Sequence, residues 1–157
     1  MRLLTAHRSR YLYKAKEVRH MKVQQPTEGF DVRPIGFINS KLTDLRDCPL
    51  QGSENAPEAY LELYSFYAQG IKDIGVGDKL VILTWFHLAD REILKCYRRN
   101  MVGSEEFGVF STRSPDRPNP IGLHTVTVLE IVNEQKIKIF PIEALNGTPV
   151  IDVKPFI

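Results

Sequence analysis

The sequence predicts an all-β protein, a single small β-barrel of short antiparallel strands. Three observations lead there. Ten glycines and ten prolines cut the 157 residues into short segments. The segments between them alternate with a period of two or are almost wholly apolar. No amphipathic stretch is long enough to make a useful helix. With 43% hydrophobic and 25% charged residues, the chain has an ordinary globular balance, which excludes a disordered or fibrous protein. A chain of this length buries roughly two-thirds of its unfolded surface, enough for one core without staples.

The elements follow in order. Residues 32–38 read as an opening strand, with Pro34 placing its start at an edge. Residues 58–65 alternate Tyr60, Glu62 and Tyr64 against Leu61 and Leu63. A helical turn is expected over 67–74, ended by Gly75 and Gly77. Residues 79–86 are nearly all apolar and predict a strand buried on both faces. The ambiguous stretch 91–98 is read as strand, as is 107–110, and 111–120 is too rich in proline and arginine for regular structure. Beyond it, Leu123, Thr125, Thr127, Leu129 and Ile131 alternate with His124, Val126, Val128, Glu130 and Val132. Residues 136–140 follow after the Asn133-Glu134-Gln135 connection. Asn146-Gly147 is the strongest hairpin-turn signal, with 150–153 as its return strand. The barrel domain is assigned to residues 32–157 and a peripheral basic arm to 1–31.

Charge sharpens that division. The net charge of +2 conceals seven Lys/Arg against one acid in residues 1–22, and fourteen basic against eighteen acidic residues in the rest. Such an arm suits contact with phosphate backbones, but a solvated tail is the simpler reading and is preferred. The arm lacks the apolar stretch of a secretory signal, and the longest aliphatic run, Leu80-Val81-Ile82-Leu83, cannot span a bilayer. A cytoplasmic protein with no membrane segment is expected. Cys48 and Cys96 form no close pair, and the histidines at 7, 20, 87 and 124 lack metal-ligand spacing, so neither a disulfide framework nor a metal is expected. Gly75-Val76-Gly77 begins a dinucleotide-type fingerprint, but Leu80 stands where the third glycine belongs.

The outlying segment runs from Gly108 to Leu123 and contains Ser111-Thr112-Arg113-Ser114-Pro115-Asp116-Arg117-Pro118-Asn119-Pro120. Its three prolines restrict the backbone, and Arg113 and Arg117 each have the fork that grips a carboxylate or phosphate. Composition alone favours a rigid structural corner in which the arginines pair with Asp116 and nearby acids.

This run resembles the signature of the TrmO (YaeB, TsaA-like) family of β-barrel methyltransferases. Further matches lie at Pro34-Ile35-Gly36 with Ser40, at Pro49-Leu50-Gln51, at Leu83-Thr84-Trp85-Phe86-His87, and from Asn146 to Phe156. Together they cover residues 32–157 in the family's order. The resemblance implies an enzyme that uses S-adenosyl-L-methionine to methylate N6 of N6-threonylcarbamoyladenosine beside the tRNA anticodon. It also implies a homodimer whose cofactor sits on the barrel. Asn146 stands where the family usually has Asp, Phe156 where Tyr is common, and the C-terminal extension of longer relatives has no counterpart after Ile157. A non-catalytic barrel that binds RNA or a nucleotide, and a methyltransferase for another substrate, are the alternatives.

By resemblance, Gln51, Gly52 and Ser53 form a cofactor loop, His87 and Leu88 border the cofactor, and Arg113 holds its carboxylate or a nearby carbonyl. Leu123 supplies an apolar wall, and Pro141, Ile142, Glu143 and Ala144 a backbone edge for adenine. Without the family, the Gln51 segment is a turn and His87 a rim residue. Phe86 and Phe110 have the faces a sulfonium favours, but core packing is expected of both. Lys95, Arg98, Arg99 and Arg117 are expected either to meet tRNA phosphates or to pair with Glu92, Glu105 and Glu106. No general base is assigned; Asp152 reads equally as a base or as a structural acceptor.

Overall fold

The computed structural model describes residues 29, 31–97, 99, 101, 103 and 105–157. The basic arm, apart from Gly29 and Asp31, and Arg98 lie outside the described residues. Eight strands are described in the barrel unit: β1 (Gly36–Asn39), β2 (Ala59–Leu63), β3 (Lys79–Trp85), β4 (Lys95–Tyr97), β5 (Glu106–Gly108), β6 (Ile121–Asn133), β7 (Lys136–Phe140) and β8 (Pro149–Pro155). Six of them close a barrel in the order β1-β2-β7-β6-β3-β8, and β4 pairs with β5 as a separate ribbon. Every pairing is antiparallel.

The two-residue period builds the wall. On successive strands Ile38, Leu61, Leu80, Ile82, Val126, Val128, Ile137, Ile139 and Val150 turn inward and form one core. Each such aliphatic side chain contributes roughly 1.5–3 kcal/mol on burial. Gly36 permits the closest strand contact, because a Cβ there would stand 2.2 Å from the Glu62 carbonyl oxygen. Closure leaves no open sheet edge in the barrel.

The structure departs from the sequence reading at three elements. β3 is not buried on both faces: Leu80, Ile82 and Thr84 are buried, whereas Val81, Leu83 and Trp85 are only half-buried. A barrel wall has one inner face, and apolar residues on the other side need not be covered. The helical turn is a 3-10 turn over Ser65–Ile71, anchored only by buried Ile71. Asn146-Gly147 does form a turn, with Gly147 at φ 79°, but it closes no hairpin. β7 pairs with β2 and β6, while β8 pairs with β1 and β3. Asn146 is instead held across the barrel, its Oδ1 accepting the Ser40 amide at 3.0 Å and its own amide donating to the Leu42 carbonyl at 2.7 Å.

Candidate functional site

The inner face of the β3–β6 ladder changes character near its end. Below it the buried residues are aliphatic; at Thr84 and His124 they become polar. Ladder pairing sets Thr84 opposite Gly122 and His124 opposite Ile82, and the Thr84 Oγ1 lies 2.9 Å from His124 Nε2. A β-bulge between Leu83 and Thr84 shifts the register against β8 at the same point. Phe86 packs edge-on against the His124 ring, with centroids 5.9 Å apart. Gly122 makes room for this group. A Cβ there would come within 2.3 Å of Thr84 Oγ1, 2.5 Å of Phe86 Cζ and 2.7 Å of His124 Nε2.

The segment after β7 completes the cluster. Ile142 and Ala144 are buried in the core, which turns Glu143 the other way. Its Oε1 stands 3.1 Å from His124 Nδ1, with the histidine side chain 1% exposed and the glutamate 20%. The 49–57 loop crosses here: a Cβ on Gly52 would lie 3.3 Å from Glu143 Oε2 and 3.5 Å from Pro141 Cγ. The Ile142 amide donates to the Pro57 carbonyl at 3.0 Å, fastening the two segments together. Burial pushes the nearby Cys48 thiol up, with Asp47, Asp44 and Glu143 adding to the effect, so it stays protonated at neutral pH and is no nucleophile.

Gly52 is thus brought directly against Pro141 and Glu143, and His87 and Leu88 leave β3 immediately after Phe86, both exposed. Gln51 and Ser53 are exposed on the crossing loop. Arg113 is exposed and, among the described residues, has no hydrogen-bond or ion-pair partner. Leu123 lies on the outer face of β6, 47% exposed, opposite in direction to Gly122 and His124. No hydrogen bond or ion pair among the described residues joins Arg113 or Leu123 to the His124 cluster.

Several roles are corrected. Phe110 is 78% exposed and takes no part in the core, because the 3-10 turn Val109–Ser111 buries Val109 instead. Arg117 is not a free cation on the surface. Its guanidinium donates to the carbonyls of Thr112 at 2.6 Å, Ser114 at 2.7 Å and Val109 at 3.2 Å. Nor does it pair with Asp116, which accepts the Asp90 amide at 2.9 Å. Arg99 pairs with Glu54 rather than with Glu92, Glu105 or Glu106. Asp152 accepts the Val153 amide at 2.9 Å and faces Lys154 Nζ at 2.8 Å, as a structural acceptor would. His124 and Thr84 went unread as site residues: a lone histidine in an alternating strand carries no signal of a partner forty positions earlier.

These features define a class: a small closed antiparallel barrel whose polar site forms where the β3–β6 ladder meets the segments around Gly52 and Glu143, rather than on a nucleotide-binding α/β sheet. The family model for the tRNA-methyltransferase O N-terminal domain matches residues 37–157, and the chain belongs to that family. A probable S-adenosyl-L-methionine-binding protein of Methanothermobacter thermautotrophicus is 34% identical over 125 residues, 80% of this chain and 88% of the relative. An S-adenosyl-L-methionine-binding protein of Archaeoglobus fulgidus is 37% identical over the same length, again 80% and 88% of the two chains. The crystal structure of TrmO from Pseudomonas aeruginosa superposes with a TM-score of 0.65 at 28% identity, covering 83% of this chain and 57% of that one. The chain therefore spans little more than half the length of that crystallised relative.

Proposed function

We propose that the chain is an S-adenosyl-L-methionine-dependent methyltransferase acting on tRNA, with N6-threonylcarbamoyladenosine beside the anticodon as acceptor. The observation that carries the reading is the meeting of Gly52 with Pro141 and Glu143. Two segments far apart in sequence, both read by resemblance as cofactor loops, close on one carboxylate. The donor set suits the cofactor: exposed Gln51, Ser53 and His87 offer polar atoms, Glu143 an acceptor, and unpaired Arg113 a fork for a carboxylate. When bound, S-adenosyl-L-methionine supplies an electrophilic methyl group on a cationic sulfur. The protein's task is then to hold donor and acceptor in line, so positioning provides much of the rate. An anticodon-loop base is already splayed and needs little unstacking.

The proposed tRNA surface draws on Lys95, since Arg117 is occupied in its own loop and Arg99 is paired. A homodimer is part of the same proposal. Leu83 and Leu123, and next to them Trp85 and Ile121, face each other across β3 and β6 and leave an apolar strip on the outer wall. Light scattering at micromolar concentration is expected to give twice the 18.0 kDa chain mass, and a monomer would remove the dimer.

Calorimetric titration with S-adenosyl-L-methionine tests the cofactor reading. Arg113→Ala is expected to weaken binding about tenfold to hundredfold, the loss of one charge-assisted contact. Undiminished affinity would withdraw Arg113 from the site.

A further inference from the structure

Among the described residues, His124 is the one ionisable side chain that is buried outright. Its ring is fixed by Thr84 at Nε2, by the edge of Phe86, and by the space that Gly122 leaves open. Nδ1 has no well-formed hydrogen bond, yet it stands 3.1 Å from Glu143 Oε1. A buried ring nitrogen without a partner is costly and calls for an explanation. Nε2 can accept from the Thr84 hydroxyl, and in that tautomer the ring proton is on Nδ1 and faces the carboxylate. The other carboxylate oxygen faces the Gly52 backbone.

We infer that His124 is a positioning residue: anchored by Thr84, it sets the Glu143 carboxylate against the Gly52 loop, where that carboxylate accepts a hydrogen-bond donor of the bound cofactor. The inference rests on the S-adenosyl-L-methionine reading and adds to it. At 3.1 Å, Nδ1 and Oε1 lie within hydrogen-bond reach of each other, while Oε2 is on the side of the Gly52 loop. Among the described residues, Glu143 is the one acid set against both the ring and the loop, so replacing the imidazole should act through it alone.

The test is calorimetry of S-adenosyl-L-methionine binding to His124 variants, with thermal melts to confirm folding. His124→Leu is expected to weaken binding about tenfold, in the range of measured coupling between contacting residues. His124→Asn, whose amide nitrogen occupies the Nδ1 position, is expected to restore most of that affinity. His124→Gln, whose amide reaches towards Thr84 instead, is not. In a Glu143→Gln background, His124→Leu should add no further loss. Should His124→Leu fail to fold, Thr84→Val keeps the test open: it frees the ring from its anchor and should weaken binding severalfold. Wild-type affinity in His124→Leu or Thr84→Val, equal rescue by Asn and Gln, or an undiminished penalty in the Glu143→Gln background overturns the positioning role while leaving the cofactor reading intact. A wild-type protein that binds no S-adenosyl-L-methionine overturns both.

Discussion

Arg117 clasps the backbone on both sides of Arg113. One guanidinium donates to the carbonyls of Thr112 and Ser114, the residues that flank Arg113, and also reaches Val109. The Arg113 side chain is left exposed on a segment whose ends are tied together. Pro115, Pro118 and Pro120 restrict the rest of the loop, and the Asp116 carboxylate fastens it to the Asp90 amide. Two arginines of the same motif therefore divide their work: one shapes the loop, and the other is presented by it.

Replacing the clasp should loosen the loop. Arg117→Lys offers a point charge that cannot span three carbonyls held by a planar fork. It is expected to lower unfolding stability by about 1–3 kcal/mol in urea titration and to speed proteolysis within 111–120. An unchanged midpoint and an unchanged cleavage rate would show that the three contacts hold nothing.

Gly122 is the tightest point of the site. A methyl group there meets Thr84, Phe86 and His124 at once, two of them strand residues of a closed wall. Gly122→Ala is expected to cost about 1–3 kcal/mol as overpacking, read as a lowered Tm. It should also weaken cofactor binding, because the His124 ring is what must move. A Tm equal to wild type would mean that the wall yields freely at this position.

Much of the barrel could be read from alternation. Leu61 and Leu63, Val126 and Val128, and Ile137 and Ile139 all turn inward as a period of two requires. Pairing was less visible. Asn146-Gly147 has the local chemistry of a hairpin, but which strands pair is decided by closure of the barrel, and the turn serves Ser40 and Leu42 instead. Lys79–Trp85 reads as buried on both faces since nothing in an apolar run tells its inner from its outer side. For the site, the loops around Gly52 and Glu143 were reached through family resemblance, and the structure puts them in contact. The Thr84–His124–Glu143 line was not legible. Its members are a threonine, a histidine and a glutamate on three separate segments, and only the fold sets them within 3.1 Å of one another in succession.

Acid should weaken the barrel partly through Glu62. Hydrogen bonds from Lys136 first and Asn39 second hold its carboxyl below the ordinary 4.5. Both donors lie 2.7 Å from Oε1. The folded-state value is depressed, so this stabilisation is complete above the unfolded value and is lost as pH falls through the folded one. The pair is partly exposed, so its worth is at most about 1 kcal/mol. Glu62→Gln should therefore be less stable than wild type at pH 7 and converge with it in chemical denaturation as pH falls below the folded-state value. A gap that stays constant with pH would assign the difference to something other than ionisation.

Methyl transfer to RNA is the most direct measurement. The purified protein is incubated with methyl-labelled S-adenosyl-L-methionine and tRNA carrying N6-threonylcarbamoyladenosine, and the digested nucleosides are resolved by mass spectrometry. The expected result is one labelled methyl group on the modified adenosine, reduced by Arg113→Ala and absent from tRNA that lacks the threonylcarbamoyl group. An unlabelled modified adenosine, with label appearing instead on a small metabolite or nowhere, would contradict the proposed function.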